Sequence, residues 1–313
     1  MMTILDKFAD IEEVKELLAR EYQVSKLAGD ASNRQYYRAV GGETSLILCY
    51  SPDSSTNEKF LNVAKIYAEN KLPVPEVYAS LDGGHLVLLE DLGDQSFLDS
   101  SQLLSNSSQQ SVYNQLFAIA EKISLMNKVT FPIFDKPWID RERAMLINGL
   151  KTTETASEQD LVEFNNDCIE RNEKLLIEEK NFVPQHRDFH GRNIQVKGES
   201  YFIIDFQDTF LSNRYYDIVS LVYDPYAKLS LNTRQALIAD YKLTQVHFDE
   251  GKFLATARQR LWKAIGTYLN QHFVHTKSNY IQYVRPACEI LSTLELSKVQ
   301  ERMVKRLKDA EID

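Results

Sequence analysis

The chain has 313 residues, of which 43% are apolar and 26% charged, a composition typical of a globular protein with a substantial core. Its formal charge of −9 argues against non-specific binding to nucleic acid or to an anionic membrane, and we expect neither partner. Three widely separated cysteines indicate neither a disulfide framework nor a zinc site, which favours a reducing, cytoplasmic location.

The first part of the chain combines helices with short strand-like segments. Residues 7–20 place apolar side chains on one helical face, and a second helix is predicted to begin within SPDSSTNEKF (51–60). The strand-like segments are YQVSKL (22–27), NRQYYRAV (33–40), SLILCY (45–50), PVPEVYAS (73–80) and HLVLLED (85–91). This order predicts a small β-rich N-terminal lobe over residues 1–91.

Helices dominate the prediction for residues 92–313. Apolar residues recur three or four apart from residue 112 onward and again over 248–275. The one strong β signal in this part is a hairpin, in which NIQV (193–196) is joined to YFIID (201–205) by a turn. The sequence therefore predicts an α+β protein with two lobes, and ligand sites favour the cleft between such lobes.

The segments HRDFHGRN (186–193) and YFIIDFQD (201–208) have the spacing that phosphoryl transfer requires. Asp188 lies on a tight loop and is expected to face the attacking hydroxyl group. Asn193 follows five residues later, and the hairpin returns Asp205 beside it. Amide and carboxylate oxygens are ligands that suit Mg²⁺. The pattern therefore predicts a kinase in which Asn193 and Asp205 hold the metal that accompanies ATP.

Five segments together carry a family resemblance: GDASNRQYYR (29–38), VPEVY (74–78), LLEDLG (88–93), HRDFHGRN and IDFQDTF…YYDIVSLVYD (204–224). With these segments the chain resembles the aminoglycoside phosphotransferase-like kinases, and most of all their N-acetylmuramate and N-acetylglucosamine anomeric kinases of cell-wall recycling. The resemblance implies an α+β, protein-kinase-like bilobal fold and an ATP- and Mg²⁺-dependent sugar kinase. It implies that Asp188 is the catalytic base, that main-chain groups of Glu90 to Leu92 contact adenine, and that Asp217 binds the backbone of the catalytic loop.

The third strand departs from the kinase-like pattern, because Cys49 or Tyr50 stands where a lysine normally contacts the nucleotide phosphates. Either the protein is a degenerate kinase that binds nucleotide weakly, or another cation substitutes. Arg34 and Arg38 lie four residues apart, and residues four apart on a strand share a face. Both are therefore candidates for contacting the phosphates.

The turn AGDASN (28–33) is also unusual, because it contains a single glycine. Its backbone amides and the Ser32 hydroxyl, with Asn33 helping to fix the turn, are a further candidate phosphate contact.

His190 and Asp208 lie close in sequence to the expected acceptor site. His190 either bonds sugar hydroxyl groups or supports the loop, and Asp208 contacts either the acceptor or the metal shell.

We expect a small-molecule sugar as substrate, and of the oligomeric states a monomer is favoured. Two alternatives stay open. One is a kinase for another hydroxylated acceptor, such as choline, ethanolamine, homoserine or an aminoglycoside. The other is a pseudokinase that binds nucleotide without turnover.

Overall fold

The computed structural model describes residues 22–27, 34–42, 44–101, 106–127, 131–176 and 179–310. The chain folds into two compact units, the first formed by Met1–Phe97 with Asn193–Asp208 and the second by Leu98–Arg192 with Thr209–Asp313. The predicted lobe boundary between residues 91 and 92 stays a prediction. The predicted helix over 7–20, with Ser32 and Asn33, lies outside the described residues.

The first unit contains an antiparallel sheet of five strands in the order β1-β2-β3-β5-β4. Its strands are β1 (Gln23–Lys26), β2 (Gln35–Gly41), β3 (Thr44–Tyr50), β4 (Val77–Leu81) and β5 (Leu86–Glu90). Each matches a strand expected from the sequence. Alternate residues of the strands point to one face of the sheet, where Ala39, Leu48 and Leu86 are fully buried.

A helix and a hairpin complete this unit. Helix α1 (Ser54–Glu69) begins after Asp53, whose side chain accepts a hydrogen bond from the backbone N–H of Ser55. The predicted hairpin is present as β7 (Ile194–Lys197) and β8 (Ser200–Ile203). Helix α1 packs on the segment that follows the hairpin, because the rings of Phe60 and Tyr67 stack on Phe206 at centroid distances of 5.2 and 4.9 Å.

The rest of the described chain is mainly helical. Helix α2 (Phe97–Ser101) follows the first part of the first unit. The second unit then contains α3 (Asn106–Ser124), α4 (Lys136–Thr152), α5 (Glu158–Glu173), α6 (Tyr216–Val222), α7 (Leu231–Thr244), α8 (Glu250–Phe273), α9 (Val284–Leu291) and α10 (Lys298–Asp309), with strands β6 (Val183–Gln185) and β9 (Phe210–Ser212) paired antiparallel. The α+β class expected from the sequence is confirmed.

Helix α8 is the long helix predicted over 248–275, and it runs through the core of the second unit. Its residues Ala257, Leu261, Ile265 and Leu269 are at most 1% exposed. No helix in the described ranges is long and apolar enough to cross a membrane.

Helices α4 and α8 approach each other closely at Gly266. A Cβ atom at this position would lie 2.9 Å from the Cα atom of Leu146, which belongs to the backbone of α4. We expect Gly266→Ala to lower the free energy of unfolding by about 1–3 kcal/mol despite the better helix propensity of alanine, because the helices must move apart.

Gly251→Ala is the matched control on the same helix, because a Cβ atom there meets its nearest atom at an ordinary 3.4 Å. Denaturant unfolding should show this variant to be as stable as wild type or slightly more so. Equal stability of the Gly266→Ala protein and wild type would contradict the close approach.

Candidate active site

The loop that carries Asp188 is held at its start by a buried carboxylate. The backbone N–H groups of His186 and Arg187 donate to the two oxygens of Asp217, at 2.6 and 3.0 Å. Arg187 has a φ of 83°, a left-handed conformation that costs free energy and needs support from its surroundings. Asp217 lies in the first turn of α6 and is fully buried. The expectation that Asp217 binds the backbone of the catalytic loop is confirmed.

A second buried carboxylate holds the far side of the loop. Asp224 accepts hydrogen bonds from the backbone N–H groups of Gly191, at 3.0 Å, and Tyr226, at 2.8 Å. Burial raises the pKa of Asp224 to about 6 and that of Asp217 to about 7, against the effect of the N–H donors. Sequence reasoning missed Asp224, although it lies seven residues, or two helical turns, after Asp217 in the quoted segment YYDIVSLVYD.

The carboxylate of Asp188 is bound by two cations from helix α8. Its Oδ1 atom accepts from Nζ of Lys263 at 2.7 Å and from a terminal nitrogen of Arg260 at 3.1 Å. Burial raises the pKa of Asp188, but the charges of Lys263, Arg187 and Arg260 outweigh it and hold the pKa well below its usual range. The Asp188 side chain is 25% exposed. It is therefore an ionised carboxylate that keeps access to solvent.

Sequence reasoning also missed Arg260 and Lys263. The apolar periodicity of 253–269 indicated only a buried helix. The available signal was a pair of cations three residues apart beside Leu261 and Trp262, within a stretch where most neighbours are apolar. Long basic side chains that start on a buried helix face need a partner for their charge.

His190 lies on the same loop as Asp188. Its backbone N–H donates to the carbonyl oxygen of Asp188 at 3.0 Å, and its ring packs edge-on against Tyr226 at 5.3 Å. Burial lowers the pKa of His190 to about 3, so the imidazole is neutral near pH 7. A neutral imidazole has one donor and one acceptor nitrogen. Its contact with an acceptor molecule stays a prediction.

Asn193 and Asp205 lie at the open end of the hairpin in the first unit. The backbone N–H of Ile204 donates to the carbonyl oxygen of Asn193 at 3.0 Å, which continues the strand register by one pair. Asp205 follows with a φ of 65°, so the chain turns sharply there. Oδ1 of Asp205 accepts from the side-chain amide of Gln207 at 2.7 Å. The hairpin therefore brings an amide and a carboxylate to the same end.

On strand β3, at the position where kinase-like proteins carry a lysine, this chain has a neutral pair formed by Cys49 and Asn57. Sγ of Cys49 donates to Oδ1 of Asn57, on α1, at 3.6 Å, and both residues are fully buried. Arg34 is a cation beside the hairpin end: it is 5% exposed and has a terminal nitrogen 3.7 Å from Oδ1 of Asp205. Its guanidinium lies 5.4 Å from the ring of Phe60. Arg34 is therefore buried against the proposed metal ligand.

Arg38 engages different carboxylates. Its Nε atom lies 2.7 Å from Asp91, and one terminal nitrogen lies 2.7 Å from Asp94. Lys197 of β7 adds a bond to the Glu90 carboxylate at 2.7 Å and another to the Asp91 carbonyl oxygen at 3.1 Å. Two basic side chains thus fix the backbone of the segment that contains Glu90 and the buried Leu92, for which the sequence predicts contact with adenine.

Asp208 lies in the short 3-10 helix Phe206–Asp208 and pairs with Lys59 of α1. Both side chains are more than a third exposed, so the pair contributes little to stability. Sequence reasoning missed Lys59, whose charge lies in the first half of α1, where only the apolar face was analysed.

The chain belongs to the phosphotransferase enzyme family, whose profile matches residues 23–254. A curated relative, the N-acetylmuramate/N-acetylglucosamine kinase of Neisseria meningitidis, is 28% identical over 218 residues. The match covers 66% of this chain and 63% of the relative, so it spans somewhat less than two thirds of the relative's length.

Solved structures of the same general type are similar in fold. A choline/ethanolamine kinase family protein from Mesorhizobium loti has a TM-score of 0.65 at 14% identity, covering 97% of both chains. A spectinomycin phosphotransferase in complex with ADP and spectinomycin has a TM-score of 0.61 at 14% identity, covering 92% of this chain and 97% of the other. These likenesses confirm the protein-kinase-like fold and leave the acceptor open.

The double hydrogen bond to Asp217 can be tested by Asp217→Asn. Asparagine offers one carbonyl oxygen and turns its NH₂ group toward the second backbone donor. An unsatisfied buried donor costs about 1–3 kcal/mol. We therefore expect a lower melting temperature and faster amide hydrogen exchange at His186 and Arg187.

Asp309→Asn, at an exposed position near the end of α10, is the control and should leave both measurements unchanged. Wild-type exchange rates at His186 and Arg187 in the Asp217→Asn protein would show that the loop is held by other contacts.

Proposed function

We propose that this protein is a kinase that transfers the terminal phosphoryl group of ATP to the anomeric hydroxyl group of N-acetylmuramate or N-acetylglucosamine. The observation that carries the proposal is the ionised Asp188, fixed on its loop by Asp217 and Asp224 and followed five residues later by Asn193. Membership of a phosphotransferase family and the name of the Neisseria relative support the reaction and the acceptor.

The amide oxygen of Asn193 and the carboxylate of Asp205 at the hairpin end are suitable ligands for a magnesium ion that is bound mainly by nucleotide phosphates. Within the described residues, no three His, Cys, Asp or Glu side chains cluster to hold a metal by themselves. Magnesium in kinases needs only one or two protein oxygens beside phosphate and water oxygens. Asn193 and Asp205 would supply these oxygens, and the bound ion would neutralise charge on the phosphates.

The remaining nucleotide contacts are proposed for the first unit. Arg34 takes the place of the strand lysine because it is the buried cation beside Asp205, and its planar fork suits phosphate oxygens. Backbone groups of Glu90 and Leu92 contact the adenine, while the phosphate contact expected of Ser32 and Asn33 falls outside the described residues. The ADP in the spectinomycin phosphotransferase structure supports a nucleotide as phosphoryl donor.

Asp188 acts on the acceptor hydroxyl group. Its low pKa makes it a weak base, so its main contribution is to accept a hydrogen bond and orient the hydroxyl oxygen toward the phosphorus atom. Little more is required, because the transition state of phosphoryl transfer is loose and catalysis comes from positioning and electrostatics. The neutral His190 can bond a further sugar hydroxyl group, and Asp208 contacts the acceptor or the metal shell.

A cationic acceptor such as choline is a weaker proposal. Quaternary amines are bound by aromatic cages. The tyrosine cluster of the second unit already surrounds a protein cation, because the Arg192 guanidinium lies 4.2 Å from the ring of Tyr226, 5.0 Å from Tyr283 and 5.8 Å from Tyr280. A pseudokinase is also weaker, since Arg34 offers a cation that replaces the missing lysine.

The reaction can be tested directly. The protein is incubated with Mg-ATP and a panel containing N-acetylmuramate, N-acetylglucosamine, choline, homoserine and an aminoglycoside, and products are identified by mass. We expect sugar phosphate from one or both amino sugars. Asp188→Asn should lower turnover by about 10²–10⁴-fold with the fold retained, because a neutral amide accepts the hydrogen bond of the hydroxyl group less strongly and cannot take its proton in the transition state.

Phosphorylated amine in place of sugar phosphate would move the assignment to another acceptor. No product from any compound would favour the pseudokinase. Normal turnover by the Asp188→Asn protein would remove Asp188 from the mechanism.

The cation at the phosphates is tested by Arg34→Met, which keeps most of the packing volume. Loss of a charge-assisted hydrogen bond costs about 1.5–3 kcal/mol, so we expect the KM for ATP to rise about 10- to 100-fold. Arg38→Met is the comparison, and its effect should be smaller because that guanidinium is bound to Asp91 and Asp94. Unchanged ATP kinetics with Arg34→Met but a raised KM with Arg38→Met would exchange the two roles.

A further inference from the structure

A cavity of about 110 Å³ lies within the second unit, between helices α4, α5, α8 and α10. One carboxylate, Glu142, lines it. The cationic side chains that line it are Arg143, Arg171, Lys174, Arg258 and Lys263. Four of these cations pair with carboxylates outside the lining: Arg143 with Asp140, Arg171 with Asp167, Lys174 with Glu170 and Lys263 with Asp188.

Arg258 is the least neutralised of these cations. It is half-buried, and its only hydrogen bond within the described ranges runs to the backbone oxygen of Glu295, at 3.3 Å. Burial and then the neighbouring Arg171 lower the pKa of Arg258, with Glu295 and Asp167 opposing them. Asp167 is shared, because it also accepts from Arg171 at 3.1 Å and from Gln300 at 2.8 Å. Two like-charged guanidinium groups beside one cavity are stabilised when an anion binds between them.

The lining also contains buried polar atoms without a hydrogen-bond partner among the described residues. They are Nε1 of Trp262, Oε1 of Gln259, Oε1 of Gln300 and Nε of Arg143. Trp262, Gln259 and Gln300 are 4%, 6% and 2% exposed. Buried polar atoms are rarely left unpaired in native proteins. All four atoms are covered by neighbouring protein atoms, so a hydroxylated ligand in the cavity would bond them only after these side chains turn toward it.

Lys263 connects this cavity to the catalytic loop. It lines the cavity, and its Nζ atom lies 2.7 Å from Oδ1 of Asp188. Glu142, also in the lining, is held by the side-chain amide of Gln259 at 2.9 Å. A hydroxylated ligand in this cavity would therefore be next to the side chain that contacts Asp188.

We propose that this cavity is the acceptor subsite and that Arg258, with Arg143 and Arg171, binds a carboxylate on the acceptor. The inference rests on the proposed function. It assigns the substrate class as a hydroxylated acid, so N-acetylmuramate, whose lactyl group carries a carboxylate, is preferred over N-acetylglucosamine, which has the same amino-sugar ring without it. The same charges repel cationic acceptors such as aminoglycosides.

The two sugars make the test specific for the carboxylate. Values of kcat/KM are measured for both with wild type and with Arg258→Gln, which removes the charge. We expect the ratio of kcat/KM for N-acetylmuramate to that for N-acetylglucosamine to fall at least tenfold, mainly through KM. Arg258→Lys keeps the charge but loses the fork, and should give an intermediate ratio.

Arg285→Gln is the matched control, because that side chain is 71% exposed and lies on α9 outside the cavity. It should keep the wild-type ratio. A ratio within twofold of wild type in Arg258→Gln would overturn the inference. Thermal unfolding is followed for each variant, and if the glutamine variant is unfolded the comparison is made with Arg258→Lys.

Binding measurements separate this inference from the proposed function. Calorimetry with each sugar in the absence of ATP is carried out on wild type and Arg258→Gln. If wild type binds N-acetylmuramate but phosphorylates neither sugar, and Arg258→Gln weakens binding at least tenfold, the anion site stands and the kinase proposal fails. If wild type phosphorylates the sugars and Arg258→Gln changes neither binding nor the ratio, only the site assignment fails.

Discussion

The hydrogen bonds from His186 and Arg187 to Asp217 are the constraint on which the loop that carries Asp188 depends. Directly after these two N–H groups the chain turns at Arg187 into a left-handed conformation, and the following residue is Asp188. Burial disfavours the charged form of Asp217, and the two N–H donors offset part of that cost. If one of these hydrogen bonds were lost, the buried carboxylate would be left with too little stabilisation. The direction of the Asp188 side chain thus depends on Asp217, a residue to which the proposed mechanism gives no chemical role.

Local charge in this protein differs from the overall charge. The chain carries −9, yet α8 places Arg260 and Lys263 on Asp188, and Arg258 beside a cavity with other cations. Interactions at 3–4 Å between partly buried groups are screened much less than those over a Debye length of about 8 Å at physiological ionic strength. An acidic protein can therefore bind anionic ligands, and net charge excludes only non-specific partners such as nucleic acid.

The strands, the hairpin and the helices were predictable because their signals are local in sequence, whereas only one of the two anchors of the loop was expected. Strand alternation and turn residues indicated the strands of the sheet and the hairpin that ends at Asp205, while the family resemblance implied the anchor Asp217. The cations on Asp188 were not predictable in the same way, because apolar periodicity defines a buried helix face and does not show where a long basic side chain finds its partner. Alternation likewise placed Arg34 and Arg38 together, whereas tertiary contacts give them different carboxylates.

In a phosphotransferase family the transfer chemistry changes little, because positioning and charge supply most of the catalysis, and acceptor choice has to come from elsewhere in the chain. Here the loop is held by Asp217 and Asp224, while the proposed acceptor cavity is built by α4, α5, α8 and α10. Lys263 belongs to both. Under the proposed assignment, acceptor binding and the position of Asp188 therefore share one side chain.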